Sequence, residues 1–263
     1  MSGPWAQLMR DRAIVHVAGP ASCGKTTFIE SVLGSVDKLL IVARCVRDDT
    51  FRHVRETAPR THPELQRYRE AGASGAALFV FPQGDTSSDA FFMTELMQDY
   101  SQGVVLEGNN PLVYVDLAVF VAPPPAAGEK LFVRRKRDMA REKALGVDAI
   151  ERLLRELDGV AAARKAPKPK AVEHWAIGDR YSGIEHAQLV VVNICEDSER
   201  VAGEQLAAEL VRLRKEEELF KDVLGFRGSR VPITIVVADL AQPADPGRKK
   251  ALARVRRAFC SGT

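Results

Sequence analysis

The sequence predicts an α/β protein with a doubly wound, mostly parallel sheet of about seven strands. Two observations carry that expectation. Seven apolar, β-rich runs recur along the 263 residues. They are continuous rather than alternating, the habit of strands buried on both faces. Between them lie helix-like stretches at 25–34, 89–100, 130–158, 199–221 and 248–258, and strands alternating with helices build a parallel sheet. The length suits a single domain over 1–263, with a basic helical insertion at 128–185.

The first run, AIVHVA (13–18), contains His16, read as a core or sheet-edge histidine. It leads into GPASCGKT, a glycine followed by four residues and Gly-Lys-Thr. A strand before and an amphipathic helix after are the setting a phosphate-binding loop requires. Gly19 and Gly24 let the backbone approach phosphate oxygens closely. Pro20 and Ala21 belong to the same nucleotide-binding loop, and the N–H groups from Ser22 through Cys23 to Thr27 point at phosphate with the helix dipole behind them. Lys25 is placed for the β- and γ-phosphates, the Thr26 hydroxyl for Mg²⁺, and Thr27 for the α-phosphate.

The second run, KLLIVA (38–43), is followed by Asp48 and Asp49, candidates for touching Mg²⁺ or the γ-phosphate, or else solvated capping residues. Cys45, His53 and His62 in the same region offer a thiolate and two imidazoles, without the spacing of a metal site. AALFVF (76–81) is the third run. GVVLE (103–107) is the fourth and ends on Glu107, an acid at the end of a buried strand. A phosphate loop needs such a carboxylate near its metal, so Glu107 is the candidate for the Mg²⁺ shell or for orienting water.

DLAVFVA (116–122) precedes APPPAAGEK, a rigid extended turn. Next comes the basic insertion. Residues 133–170 hold twelve Lys and Arg against six Asp and Glu, ending in a hinge-like APKPKA. This is either a solvated helix face or a lid or docking arm over something anionic. QLVVVN (188–193) and PITIVVA (232–238) complete the sheet, and ALARVRRAF (251–259) reads as an amphipathic last helix.

The bulk numbers exclude several classes. A net charge of +3 argues against nucleic acid as the main partner. The four cysteines are far apart with no CxxC pair, so neither a disulfide framework nor a standalone zinc site is indicated. The opening MSGPWAQLMRDR lacks an apolar signal core and no run is long enough to span a bilayer. The expectation is a cytoplasmic protein with no membrane partner.

The stretches VAGPASCGKTTFIESVL, VVLEGNNPLVYVDLAVFV and AQLVVVN together resemble the accessory GTPases of urease and hydrogenase nickel insertion, members of the SIMIBI class of phosphate-loop proteins. RYREAGASGAALFVFP resembles the accessory GTPase of molybdopterin-guanine dinucleotide synthesis. The resemblance implies the phosphate-loop NTPase fold and a homodimer with nucleotide sites face to face. It matches Gly19 to Thr27 to the phosphate loop and Glu107 to the acid after the fourth strand. Asn193 matches the asparagine of the base-reading motif, while Ile194 stands in place of its lysine and Glu196 in place of its aspartate. Ala238, Asp239 and Leu240 fall where related proteins place a second base-contacting loop. Cys45 replaces the aspartate usual after the second strand, and the Cys-Pro-His-type element of the nickel proteins is missing.

The functional expectation is binding of GTP, or ATP, with slow Mg²⁺-dependent hydrolysis. It would act as a switch in maturing a metal centre or cofactor, with a client apoenzyme or accessory protein as partner. Lys25, Glu107, Asp48 and Asp49 are the candidate catalytic residues. A small-molecule kinase with RRKRD (134–138) as part of a lid is the first alternative. A nucleotide-binding interaction module without turnover is the second.

Overall fold

The computed structural model describes residues 12–47, 52–55, 63–81, 102–108, 115–129, 132–137, 172–184, 187–215 and 234–260. Seven of its strands are the seven apolar runs of the sequence: β1 (Ala13–Ala18), β2 (Leu40–Arg47), β4 (Gly75–Phe81), β5 (Gly103–Glu107), β6 (Leu117–Ala122), β9 (Leu189–Asn193) and β10 (Thr234–Ala238). They lie parallel in one sheet, and the short β3 (Arg52–Arg55) adds an antiparallel edge, giving the order β10-β9-β6-β1-β5-β2-β4-β3. Every residue of β1, β5, β6 and β9 is buried, as central strands covered on both faces require.

Period-2 alternation sorts these strands onto two faces. Val15 and Val17 of β1 pack with Phe28, Ile29 and Val32 of α1 (Lys25–Leu33), with Leu65 and Tyr68 of α2 (Pro63–Glu70), and with Val255 and Phe259 of α4 (Pro246–Cys260). The opposite face is covered by α3 (Arg200–Lys215), whose Leu206 and Leu210 meet Phe120, Val190 and Val192. Helices on both faces make the sheet doubly wound, as the alternation of runs predicts. Each fully buried Phe, Ile or Val contributes about 2 kcal/mol of transfer free energy. The sequence-predicted helices at 25–34, 199–221 and 248–258 appear as α1, α3 and α4; the stretch 89–100 lies outside the described residues.

The insertion differs from expectation. The helix-like stretch 130–158 opens as a strand, β7 (Phe132–Arg137), which pairs antiparallel with β8 (Val172–Ile177) from Phe132↔Ile177 to Arg137↔Val172. Both segments carry the Val, Phe, Trp and Ile that favour extended backbone. The partner of each lies about forty residues away in sequence, beyond the reach of any local periodicity. Residues 138–171 lie outside the described residues. Among the described residues, no helix is long and apolar enough to cross a membrane.

Candidate functional site

At the carboxyl end of β1 the chain turns sharply into α1, and two glycines make that turn possible. Gly19 has φ +143 and Gly24 has φ +96, both left-handed conformations. A β-carbon on Gly19 would stand 2.1 Å from the Val121 carbonyl oxygen, and one on Gly24 would stand 2.4 Å from Asn193 Nδ2. Ser22 also has positive φ (57). The loop is drawn in tightly and opens onto the first turn of a helix with no side-chain cap, where N–H groups lack intrahelical partners.

Lys25 reaches back to the start of the loop, donating from Nζ to the carbonyls of Gly19 (2.9 Å) and Pro20 (2.6 Å). Its ammonium thus stands at the mouth of the loop. Ala21 and Ser22 are exposed, while Cys23 is buried. Burial pushes the Cys23 thiol above its ordinary pKa, against the opposing pull of the Lys25 charge. A buried thiol held neutral is a weak nucleophile.

Glu107 ends β5 beside this loop and is 4% exposed. The Tyr68 hydroxyl, from α2, donates to its Oε2, and Arg44 Nη1 lies 3.7 Å from the same oxygen. Arg44 also pairs with Glu64 at 2.6 Å. Burial first, and then the Glu107 charge, push Tyr68 well above the ordinary range, against the opposing hydrogen bond from the Thr26 hydroxyl. The phenol is therefore a permanent donor at working pH.

Sequence reasoning missed Tyr68, Arg44 and Glu64. Arg44 is register partner of Glu107 across β2 and β5, so both point to the same face of the sheet. Cys45 consequently points to the other face, where it packs against the cluster of Ile41, Phe79 and Leu106. The Cys45 side chain thus lies on the face opposite Glu107, and Arg44 faces Glu107 instead. Asp48, Asp49 and His62 lie outside the described residues, and so does the His53 side chain. Among the described residues no group of three His, Cys, Asp or Glu is placed to hold a metal ion.

Behind the loop, Asn193 joins three segments. Its Nδ2 donates to the Cys23 carbonyl (3.1 Å), its Oδ1 accepts from Leu240 N (3.1 Å), and the side chain touches Gly24. Ala238 is its register partner on β10. Ile194 is 1% exposed and its N–H bonds to the Ala238 carbonyl, so this side chain belongs to the core. Glu196 is extended and exposed, accepting from Ser198 Oγ at 3.2 Å. Asp239 Oδ1 accepts from Ala241 N at 2.9 Å. Burial first, and then the charges of Glu199, Asp239 and Glu196, raise the Cys195 thiol above its ordinary value. Asn193 and Leu240 thus lie against Gly24 of the loop, Ala238 ends β10, and Glu196 and Asp239 follow just past the ends of β9 and β10.

His16 is 3% exposed and donates from Nε2 to the Gly108 carbonyl at 2.9 Å. Burial lowers its pKa from 6.5 to about 4, with the Gly108 bond opposing. It is a core histidine, neutral at pH 7, and it holds the turn that follows Glu107.

No family model matches the chain. No curated protein matches it either. Among solved structures it is similar to HypB from Helicobacter pylori in complex with nickel (12% identity, TM-score 0.43, 97% of this chain and 89% of that one). It is also similar to the hydrogenase maturation factor HypB from Archaeoglobus fulgidus (12%, 0.44, 97% and 95%). A third similar structure is a LAO/AO transport system kinase (12%, 0.43, 98% and 62%). At that identity and those scores they say nothing about what this chain binds.

Proposed function

We propose that this chain binds a Mg²⁺–nucleoside triphosphate in the loop Gly19–Thr27, GTP ahead of ATP, and hydrolyses it slowly as a molecular switch. The observation that carries the reading is the loop itself. Its two glycines are forced by backbone and side-chain contacts at 2.1 and 2.4 Å, and Lys25 is suspended across its mouth. That closeness would serve no purpose in an ordinary turn; it brings amides and an ammonium within reach of one anionic group.

The Thr26 hydroxyl and the Glu107 carboxylate are the residues that would hold Mg²⁺. Both are hard oxygen donors, and the two described contacts of Glu107 fall on Oε2, leaving Oε1 its lone pairs. Bound there, the metal would offset charge on the phosphate oxygens. Lys25 and the loop amides from Ser22 to Thr27 would take the phosphoryl charge, and Glu107 would orient the attacking water. Asp48 and Asp49 are proposed as additional carboxylates on the γ-phosphate side. At the other end, Glu196 and Asp239 present carboxylate oxygens suited to the N1 and N2 donors of guanine. Asn193, with Ala238 and Leu240, braces the loop from behind.

The switch is proposed to serve maturation of a metal centre or cofactor in the cytoplasm, acting on a client apoenzyme or accessory protein, with the chain working as a homodimer. These finer points follow from the motif resemblance.

Incubation with γ-labelled GTP and ATP, plus Mg²⁺, tests the reading. It predicts free phosphate released from GTP in preference to ATP, on the order of 10⁻³ s⁻¹, and abolished in Lys25→Ala. Release from neither triphosphate contradicts it. Label passing to a small acceptor instead of water would make the chain a kinase.

A further inference from the structure

We infer that Tyr68 is a positioning residue for the metal-shell carboxylate, and that through it helix α2 is built into the site that would hold a divalent cation on a nucleoside phosphate. The assignment rests on the nucleotide reading above and adds to it a residue and an element that no motif includes.

Four observations converge. Tyr68 is fully buried, yet its polar end lies against Glu107, itself 4% exposed, and donates to Oε2. A buried phenol finds a partner as a rule; here the partner is Glu107, the one buried carboxylate at the loop among the described residues. Arg44 approaches the same oxygen at 3.7 Å and pairs with Glu64 at 2.6 Å, so α2 is tied to Glu107 both through Tyr68 and through Glu64. Arg67, one residue before Tyr68, pairs with Glu30 of α1 at 2.8 Å, fixing α2 against the helix that opens the loop. Finally, Thr26, whose hydroxyl is the other candidate ligand, hydrogen-bonds the same phenol.

The chemistry follows from where protons must go. A carboxylate that ligates a metal through one oxygen is held in direction by a donor on the other, and Tyr68 supplies that donor to Oε2. A threonine hydroxyl that ligates a metal must turn its lone pair to the ion and its proton elsewhere, and the phenolic oxygen beside it is an acceptor for that proton. Tyr68 can thus order both groups at once while touching neither metal nor phosphate.

The test is Tyr68→Phe in the full chain, which keeps the buried ring and removes the hydroxyl. Binding of N-methylanthraniloyl-GTP is followed by fluorescence, in EDTA and across a Mg²⁺ titration. The half-saturating Mg²⁺ concentration is expected to rise about tenfold to a hundredfold, with affinity in EDTA unchanged. Leu65→Ala loosens the same helix without touching the carboxylate; it is expected to lower thermal stability and leave the Mg²⁺ response alone. A folded Tyr68→Phe protein with the wild-type Mg²⁺ response overturns the assignment while leaving the nucleotide reading intact. Equal loss of Mg²⁺ response in Leu65→Ala also overturns it, because Tyr68 would then be mere packing. If Tyr68→Phe does not fold, infrared difference spectra of the wild type decide. Adding Mg²⁺ to the nucleotide complex must shift a tyrosine C–O band together with a carboxylate band, and a carboxylate shift alone refutes the link. Wild-type protein that binds no labelled nucleotide overturns the nucleotide reading and this assignment with it.

Discussion

Replacing Asn193 by Asp changes one donor into an acceptor at nearly constant volume, and the structure says what that does. The amide is 8% exposed, donates to the Cys23 carbonyl at 3.1 Å and accepts from Leu240 N at 3.1 Å. Asn193→Asp keeps the Leu240 bond but sets a carboxylate oxygen against the Cys23 carbonyl. Asn193→Ala removes both bonds and strands a carbonyl and an N–H. An unsatisfied buried group costs about 1–3 kcal/mol, so each variant is expected to lose about 3 kcal/mol at pH 7. The two part company in acid. Burial beside a carbonyl raises the new carboxyl above its unfolded value of about 3.9, so its penalty is full above the folded pKa and fades as pH falls through it. Protonated, it can donate to Cys23 again. Urea unfolding followed by circular dichroism at pH 7 and pH 4.5 reads both effects as differences from wild type. Asn193→Asp should regain about 1 kcal/mol or more at the lower pH, and Asn193→Ala nothing. Equal gaps at both pH values, or a loss under about 0.5 kcal/mol at pH 7, would refute the claim that Asn193 clamps the loop.

His16 predicts a second pH effect. Its folded pKa of about 4 lies below its ordinary 6.5, so the unfolded chain binds more protons between those values. Stability is therefore fully present above 6.5 and falls by up to about 3 kcal/mol toward pH 4. His16→Gln, which can still donate to Gly108, should show a shallower acid loss by urea titration; an identical loss would show that the ring is not buried neutral. Gly19→Ala puts a β-carbon 2.1 Å from a backbone carbonyl, so the loop must move. Nucleotide affinity by fluorescence should drop at least about tenfold, with little change in helix content by circular dichroism. Gly103→Ala drives a methyl into the Phe259 ring, whose nearest atom is 2.6 Å from the built position. Calorimetry should show about 1–3 kcal/mol of destabilisation, and nucleotide affinity should be retained because the contact lies at the other end of β5.

The parallel sheet was legible because strands buried on both faces write continuous apolar runs, and all seven such runs became strands. The antiparallel additions were not. RHVR of β3 holds one apolar residue in four, and its extended state comes from pairing with β4, not from its own composition. FVRRKR read as the start of a charged helix, because the strand it pairs with begins beyond residue 170. The two glycines of the loop were legible, because both stand where the backbone turns left-handed, a conformation that favours glycine. The Tyr68–Glu107 contact was invisible for a different reason. The helix PELQRYRE is polar but for Leu65 and Tyr68, three apart. That spacing marks an inward face but gives no sign that one of the two carries its hydroxyl to a carboxylate 39 residues away. Chemistry made by tertiary contact leaves no spacing in the chain.

The central claim is that the loop Gly19–Thr27 binds a nucleoside triphosphate, and titration calorimetry tests it most directly. Wild type and Lys25→Ala are each titrated with non-hydrolysable GTP and ATP analogues in the presence of Mg²⁺. The account predicts saturable binding by wild type, tighter for the GTP analogue, weakened about a hundredfold or more in Lys25→Ala, as expected from losing a charge-assisted phosphate contact worth about 3 kcal/mol. Binding that survives Lys25→Ala unchanged, or no binding by wild type at all, would contradict it.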